Sequence, residues 1–465
     1  MLFRGHFFIK KQYRNPPRSV FSLKFFDKGV SQELQRDAIA YPMEKIVICG
    51  KKPLYGSIDI AGMKNAALPI LFATVLVGGK FYIENLPDVS DINLTLDILK
   101  RLGASCVRNG GVTEIDTTEI DPYAELPLDV VKKMRASYYL VGAELGRYGK
   151  AHVGYPGGCD FGTRPIDQHL KCFRTLGADA DVNGGYIEAY AKEGLYGNHI
   201  FFDVVSVGAT VNAILAATRA DGHTIVENAA REPHIVALAS FLNMCGAHIT
   251  GAGTDTIKIR GEKDLHGCSY DIIPDMIEAG TYMVAAAAAG GRVMIRNIIP
   301  KHMESVTAKL IEMGVTVNIG DDYAEIIRDP AQPLSRIMVK AVPYPGFPTD
   351  MQPQICALTC QAEGTSYVSE GVWDNRFRYV EELMRMGAHI LVEGKTAIVE
   401  GGVPLKGTQV SAVDLRGGAA VIIAALAAEG ITVIDNIVLI ERGYDDIVGK
   451  LAAVGADIRK VSFPD

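Results

Sequence analysis

The sequence predicts an α/β protein of two domains, each built from three copies of one βαβαββ unit. Two recurring phrases and the length carry that prediction. The first phrase is a helix tail that ends in glycine and runs into a strand: Leu102-Gly103-Ala104, Leu176-Gly177-Ala178, Cys245-Gly246-Ala247, Met313-Gly314-Val315, Met386-Gly387-Ala388 and Val454-Gly455-Ala456, with successive glycines 68 to 74 residues apart. Glycine just past a helix end adopts the left-handed conformation at little cost. The second phrase is a short strand, an Ala-rich helix, a glycine turn and another strand. It stands clearly at 58–84, 201–228, 270–297, 347–370 and 410–436, and more weakly at 128–155. A chain of 465 residues accommodates two or more domains of roughly 100–200 residues each. Six units therefore divide into two groups of three.

Residues 1–42 stand apart from the repeat. They carry eight Lys or Arg and three acids, a net of +5, so the remainder of a chain with net charge -7 holds -12. They contain no apolar stretch of the kind a signal peptide needs. We expect this leader to be an extension or a misassigned start, disordered or loosely docked, rather than a transit peptide. The repeat begins at Met43 with the alternating strand pattern Lys45-Ile46-Val47-Ile48-Cys49. From there each unit alternates strands of period two with helices of period 3.6. The Ala-rich helices, with Ala285-Ala286-Ala287-Ala288-Ala289 as the extreme, let helix axes approach closely. Three units can then turn their sheets outward and bury those helices together.

Composition excludes several classes. The net negative charge offers no basic stripe for nucleic acid. The longest apolar runs, near 281–289 and 417–428, fall short of the roughly 18 residues a membrane helix needs. Eight cysteines are scattered without a CxxC pair or a histidine at metal spacing, which suits a reducing cytosol. Cys356 and Cys360 read as one buried helix face.

The candidate site is drawn by two features. The stretch Pro156-Gly157-Gly158-Cys159-Asp160-Phe161-Gly162-Thr163-Arg164-Pro165 must be a loop, and it places a thiol near a guanidinium, where a proton can be held or released. On the loop alone, a surface turn with an incidental cysteine explains these residues equally well. The second feature is the set of six strand-to-helix turns. Each begins a helix whose free N–H groups and dipole favour anions, and Lys64, Arg135 and Arg416 add full charges to three of them. Two domains facing each other with such ends make a cleft for a polyanionic substrate.

In that order, Gly62-Met63-Lys64-Asn65-Ala66-Ala67-Leu68-Pro69, Met134-Arg135-Ala136-Ser137, Pro156-Gly157-Gly158-Cys159 with Arg164-Pro165, Ser206-Val207-Gly208-Ala209-Thr210, Phe347-Pro348-Thr349-Asp350-Met351-Gln352, Asn375-Arg376-Phe377 and Arg442-Gly443-Tyr444 closely resemble the UDP-N-acetylglucosamine 1-carboxyvinyltransferase family, enolpyruvyl transferases of peptidoglycan synthesis. The resemblance covers Met43 to the C-terminus. It implies two inside-out α/β prism domains joined by a double crossover, one at 64–273 and one combining 43–63 with 274–465, with the active site in the cleft between them. It implies transfer of the enolpyruvyl group of phosphoenolpyruvate to the 3-hydroxyl of UDP-N-acetylglucosamine with release of phosphate, by a cytoplasmic monomer without metal or cofactor.

Roles carry over in the same way. Cys159 would protonate carbon 3 of phosphoenolpyruvate and be the target of the phosphonate epoxide fosfomycin. Asp350 would take the sugar hydroxyl's proton, and Lys64 and Arg442 complete the catalytic set. Phosphoenolpyruvate would be held by Lys64, Asn65, Arg164, Arg416 and Arg442. UDP-N-acetylglucosamine would meet Asn65, Arg135, Arg164, Pro165, Ile166, Asp167, Gln168, Val204, Val205, Ser206, Val207, Gly208, Asp350 and Val372. One departure is Met276, which stands where the family commonly has Arg after Asp275. Two other readings share parts of the pattern: an enolpyruvylshikimate phosphate synthase-like enzyme, which lacks the cysteine loop, and a non-catalytic paralogue that binds UDP-N-acetylglucosamine.

Overall fold

The computed structural model describes residues 43–121, 124, 126–157 and 165–463. The leader 1–42, Cys159 and Arg164 lie outside the described residues.

Six helices form the interior: Lys64–Val77, Tyr139–Tyr148, Val207–Thr218, Met276–Ala289, Gln352–Thr359 and Leu415–Ala427. The first three pack on one another, and so do the last three. They are apolar nearly all round, as a helix buried on every side must be. Every residue of Met276–Ala289 is buried, and its run of alanines lets the neighbouring axes close in. The strands alternate buried and exposed residues, as in Lys80–Glu84, so each sheet turns one face to the helices and one to solvent. No helix among the described residues is long and apolar enough to cross a membrane.

The sheets follow the repeat. Five have four strands and one has three, and a two-stranded pair completes them among the described residues. Within a four-stranded sheet one outer strand is parallel and the rest are antiparallel. Leu54–Asp59, for example, runs parallel to Gly291–Arg296, which pairs antiparallel with Tyr323–Arg328. Strands between residues 80 and 271 pair only with one another, and the others pair among themselves. Met43–Cys49 lies between Ile431–Asp435 and Asp457–Phe463, antiparallel to both, so the first strand completes the last unit. The three-stranded sheet belongs to the weakest sequence copy. Where that copy suggests a strand, Pro127 with φ -56° starts the short helix Leu128–Val131 instead, burying Val130 and Val131.

Two devices set the helix ends. The repeated glycines take φ between 92° and 103°, each closing an outer helix. A quieter device is an asparagine in the left-handed region at a strand end: Asn85, Asn228, Asn297 and Asn436 have φ of 54° to 59°. Their side-chain amides donate to the carbonyls of Ile272, Phe202, Ile60 and Ala412, at 2.7 to 3.0 Å. Each of those carbonyls lies just before the start of a buried helix, so the bond fixes where that helix begins.

The chain passes between the two sheet groups twice, side by side. Met63 N–H donates to the Ile273 carbonyl at 2.7 Å, and Asp275 N–H to the Ala61 carbonyl at 2.9 Å. Gly62 is required there, because a Cβ would come within 1.8 Å of the Asn85 carbonyl oxygen. Glu278 clamps the crossing from below, accepting from Ala61 N–H at 2.9 Å and from Lys450 Nζ at 2.7 Å. Met276 is 7% exposed and packs into the core.

Candidate active site

Lys64 is the first residue of its helix, and its own N–H donates to Asp275 Oδ2 at 3.3 Å. Asp275 also caps the 276–289 helix through Ile277 and Glu278 N–H. One carboxylate thus sets the starts of two buried helices that face each other across the crossing. Lys64 is 8% exposed and its Nζ lies 3.1 Å from Asp91 Oδ2. The other Asp91 oxygen accepts from Arg442 Nε at 3.0 Å. Asp91 therefore joins a lysine 27 residues away to an arginine 351 residues away. The backbone next to it is tied as well, Ser90 N–H donating to the Glu441 carbonyl. Burial alone would raise the Asp91 pKa, but Lys64 and Arg442 outweigh it and hold the carboxyl below its ordinary value.

Asp350 lies in the short turn Thr349–Met351 that leads into the 352–359 helix. Arg416 Nη2 and Nε approach its Oδ2 at 3.1 and 3.3 Å, and Arg376 Nη2 its Oδ1 at 3.3 Å. Both guanidinium groups are buried, Arg376 1% and Arg416 3% exposed. Arg376 also holds the Thr349 carbonyl, and Arg416 lies over the Tyr444 ring, 5.2 Å from its centroid. Desolvation works against the Asp350 charge, yet Arg416, Arg376 and Lys64 together hold its pKa far below the carboxylate range. Desolvation likewise opposes the Arg416 charge, and Tyr444, Asp350 and Asp275 overcome it. Lys64 acts electrostatically on Asp350, so the two clusters share one field. Arg416 is placed by Asp414, whose side chain caps its helix through Arg416 and Gly417 N–H. Gly443 brings the backbone beside Arg442 so close that a Cβ there would lie 3.3 Å from Lys64 Nζ. Beside Asp350, Glu370 accepts from Thr349 Oγ1, Val372 N–H and Trp373 N–H, fixing the Val372 turn.

A second group gathers at the start of the 207–218 helix, capped by Ser206 through Ala209 N–H at 3.3 Å. Gly208 lies against Tyr138 and His169, where a Cβ would meet them at 2.5 and 2.9 Å. Arg135 sits over the Tyr138 ring at 5.4 Å. Gln168 bonds both ways to Asp203, its amide N–H donating to Oδ2 and its carbonyl accepting from Asp203 N–H, each at 3.0 Å. Val204 and Val205 follow, exposed. Asp167 accepts from Gln168 Nε2. Pro165 is exposed and Ile166 buried; Asn65, beside Lys64, is half-buried. Burial, aided by Arg135, pushes the His169 imidazole down to about 3, so it accepts at Nδ1 from Asn212 at 2.8 Å as the neutral ring.

Sequence reasoning missed Asp91, the burial of Arg376, and His234. His234 opens the Pro233–Met244 helix, is 7% exposed, and burial pushes it down to about 4 although the Asp350 charge pulls the other way. Nothing local marks Asp91: it is one acid in the first turn of an amphipathic helix, Ser90–Arg101. The motif Asn375-Arg376-Phe377 was visible, but its arginine's place beside Asp350 was not.

Comparison with known proteins assigns this architecture to a class. The profile of the EPSP synthase (3-phosphoshikimate 1-carboxyvinyltransferase) family matches residues 48–451. Among solved structures, the enolpyruvyl transferase NikO from Streptomyces tendae superposes with a TM-score of 0.83 at 27% identity, over 91% of this chain and 100% of that one. An EPSP synthase from Acinetobacter baumannii shares the fold, with a TM-score of 0.68 at 18% identity over 90% of this chain and 100% of that one. Curated relatives are more similar in sequence. UDP-N-acetylglucosamine 1-carboxyvinyltransferase 3 of Caldanaerobacter subterraneus is 52% identical over 90% of this chain and 100% of its own. UDP-N-acetylglucosamine 1-carboxyvinyltransferase 2 of Clostridium acetobutylicum is 50% identical over 90% and 99%. The chain belongs to the enolpyruvyl transferases, in the UDP-N-acetylglucosamine 1-carboxyvinyltransferase family.

Proposed function

We propose that the protein transfers the enolpyruvyl group of phosphoenolpyruvate to the 3-hydroxyl of UDP-N-acetylglucosamine, releasing phosphate, at the entry to peptidoglycan synthesis. It works in the cytoplasm as a monomer. Its two prism domains, 64–273 and 43–63 with 274–465, hold the substrates in the cleft between them. Relatives at about half identity along the whole repeat bear that activity in their names. The observation that carries the reading here is the set of four cations, Lys64, Arg442, Arg416 and Arg376, gathered around two carboxylates at helix starts.

In this reading Lys64, Arg442 and Arg416, with Arg164 from the cysteine loop and Asn65, hold the phosphate and carboxylate of phosphoenolpyruvate. Cys159 supplies the proton to carbon 3, and Asp350 takes the proton of the sugar hydroxyl. Arg135, the 165–168 segment and the helix start at 204–208 receive the nucleotide diphosphate, while Asp350 and the Val372 turn meet the sugar. A positioned acid or base is typically worth roughly 10²–10⁴-fold in rate. Arg416 and Arg376 restrain the basicity of Asp350 until phosphoenolpyruvate draws Arg416 away. Phosphate release from phosphoenolpyruvate, measured with UDP-N-acetylglucosamine and separately with shikimate 3-phosphate, tests the reading. Release with the nucleotide sugar alone is expected; release only with shikimate 3-phosphate, or with neither, refutes it.

A further inference from the structure

We propose that Cys245 and Cys268 form an oxidisable dithiol, a modification site outside the anion-binding clusters, which a hydroperoxide converts to a disulfide. Their Sγ atoms lie 3.5 Å apart. Cys245 follows the last turn of the Pro233–Met244 helix and is fully buried, while Cys268 stands just before the strand Ser269–Asp271 and is partly open. Cys356, in the 352–359 helix, and Cys360, the residue that follows it, are both buried, and Cys360 turns its thiol to the Cys356 carbonyl instead.

The backbone on both sides is tied to neighbouring segments. The Cys245 carbonyl accepts from His266 N–H at 2.9 Å, and the Cys268 carbonyl from Tyr82 N–H at 3.1 Å. A disulfide has its sulfurs roughly 2.0 Å apart. Forming the bond draws the two sulfurs together from their 3.5 Å separation.

The two thiols also divide the work. Cys245 and Cys268 share one sulfur–sulfur contact in which either thiol can donate, and Cys268 is the one solvent reaches. The thiolate is the nucleophile in such chemistry. The Cys268 sulfur attacks the O–O bond of a hydroperoxide; an S–O bond forms, the O–O bond breaks, and the departing alkoxide takes a proton to leave as an alcohol. Cys268 is then a sulfenic acid. The Cys245 sulfur attacks that sulfur, the S–S bond forms, and hydroxide leaves with the Cys245 proton as water. Overall, two thiols and one hydroperoxide give one disulfide, one alcohol and one water, with two electrons passing from sulfur to the peroxide. Where thiols are otherwise kept reduced, a pair of this kind is transient and responds to oxidant.

The bond would tie the end of the 233–244 helix to the segment that enters the crossing at Pro274. It constrains the unfolded chain across a separation of 23 residues. The oxidised protein should therefore melt at a higher temperature, reversibly.

The full-length protein is treated with hydrogen peroxide, its remaining thiols are blocked with N-ethylmaleimide, and peptides are mapped without reduction. The expected result is a cross-linked pair containing Cys245 and Cys268, two hydrogens lighter than the free peptides, with a rise in Tm that dithiothreitol reverses. Cys268→Ser and Cys245→Ala should each lose both the cross-link and the Tm shift. Should Cys245→Ala fail to fold, Cys268→Ser at the partly open position carries the comparison. Recovery of Cys268 as sulfinic acid or free thiol without the cross-link, or an equal Tm shift in wild type and variants, overturns the proposal.

Discussion

Replacing Asp91 with asparagine would leave Lys64 and Arg442 facing one another with no carboxylate between them. Asn keeps the shape and one acceptor oxygen but removes the charge. Breaking a buried ion pair by deleting one partner costs roughly 3–5 kcal/mol. The Asp91 side chain is 7% exposed, and its partners Lys64 and Arg442 are 10% and 19% exposed, so Arg442 retains some solvent. That places the expected loss at the lower end, about 3 kcal/mol. The same change favours anion binding, because Asp91 no longer competes with a free anion for the two cations. Phosphate at about 100 times its dissociation constant returns about 2.7 kcal/mol, most of the loss, whereas the wild type should gain less. Urea unfolding of both proteins, with and without phosphate, reads both effects. The pH dependence gives an independent check. Asp91 has a depressed pKa in the folded state, so its stabilisation is complete above its unfolded value near ~4 and is lost as pH falls below that through the folded value. The gap between wild type and variant should therefore close in acid. A variant that unfolds with the wild type's midpoint and slope, or phosphate shifting both midpoints equally, refutes the account of Asp91 as an internal counter-anion.

Asp350→Asn should lower turnover by about two decades or more while nucleotide-sugar binding survives by calorimetry; activity within a few-fold of wild type removes Asp350 from the chemistry. If Arg416 restrains that carboxylate only in the free enzyme, the acid limb of kcat should lie at higher pH than the acid limb of kcat/KM, and coincident limbs would contradict this. Because Met43–Cys49 pairs along both sides while the repeat begins at Met43, a chain starting there should express as folded protein with full turnover; insoluble or inactive product would count against it. His169 and His234 have folded pKa values pushed down to about 3 and about 4, so both rings should stay neutral above about pH 5 by NMR. Each should cost stability as pH falls from the free value near ~6.5, since the unfolded chain then binds the proton more readily. An imidazole that protonates near pH 6.5 at either position would show that the burial is wrong.

The repeat was legible because its signals are local. A glycine past a helix end and an Ala-rich helix each declare themselves within a few residues, and six copies in register made the architecture readable. The six turns that open buried helices were found for the same reason. The asparagines at φ of 54° to 59° escaped notice, because an Asn after a strand reads as an ordinary turn until its side chain is seen bonded to a distant carbonyl. The helix Leu128–Val131 was misread as a strand, since two valines suggest extension and only Pro127 argues otherwise. In the site, single charged residues could be placed on helix starts, but not their partners. Asp91 acts across 27 and 351 residues, and sequence periodicity carries no information at that range.

That gap bears on how a chain of net charge -7 can bind two polyanions. The sequence suggested open cations at helix starts waiting for phosphate. The structure instead has Lys64 on Asp91, Arg416 on Asp350 and Arg135 over the Tyr138 ring, and it adds Arg442 to Asp91 and Arg376 to Asp350. Four cations left unpaired at this depth would repel one another and each bear the cost of leaving water, which is several kcal/mol per ion. Buried Asp91 and partly exposed Asp350 offset that cost while no ligand is bound. In the proposed reaction an incoming phosphate or carboxylate would exchange with a carboxylate already present, entering a field largely set beforehand. The exchange also yields a chemical result. A carboxylate held by two guanidinium groups is a poor base, and each one that turns to the substrate raises its proton affinity. If Asp350 is the base proposed above, it would gain basicity only once the anionic substrate has arrived, tying proton removal from the sugar hydroxyl to occupancy of the neighbouring anion site.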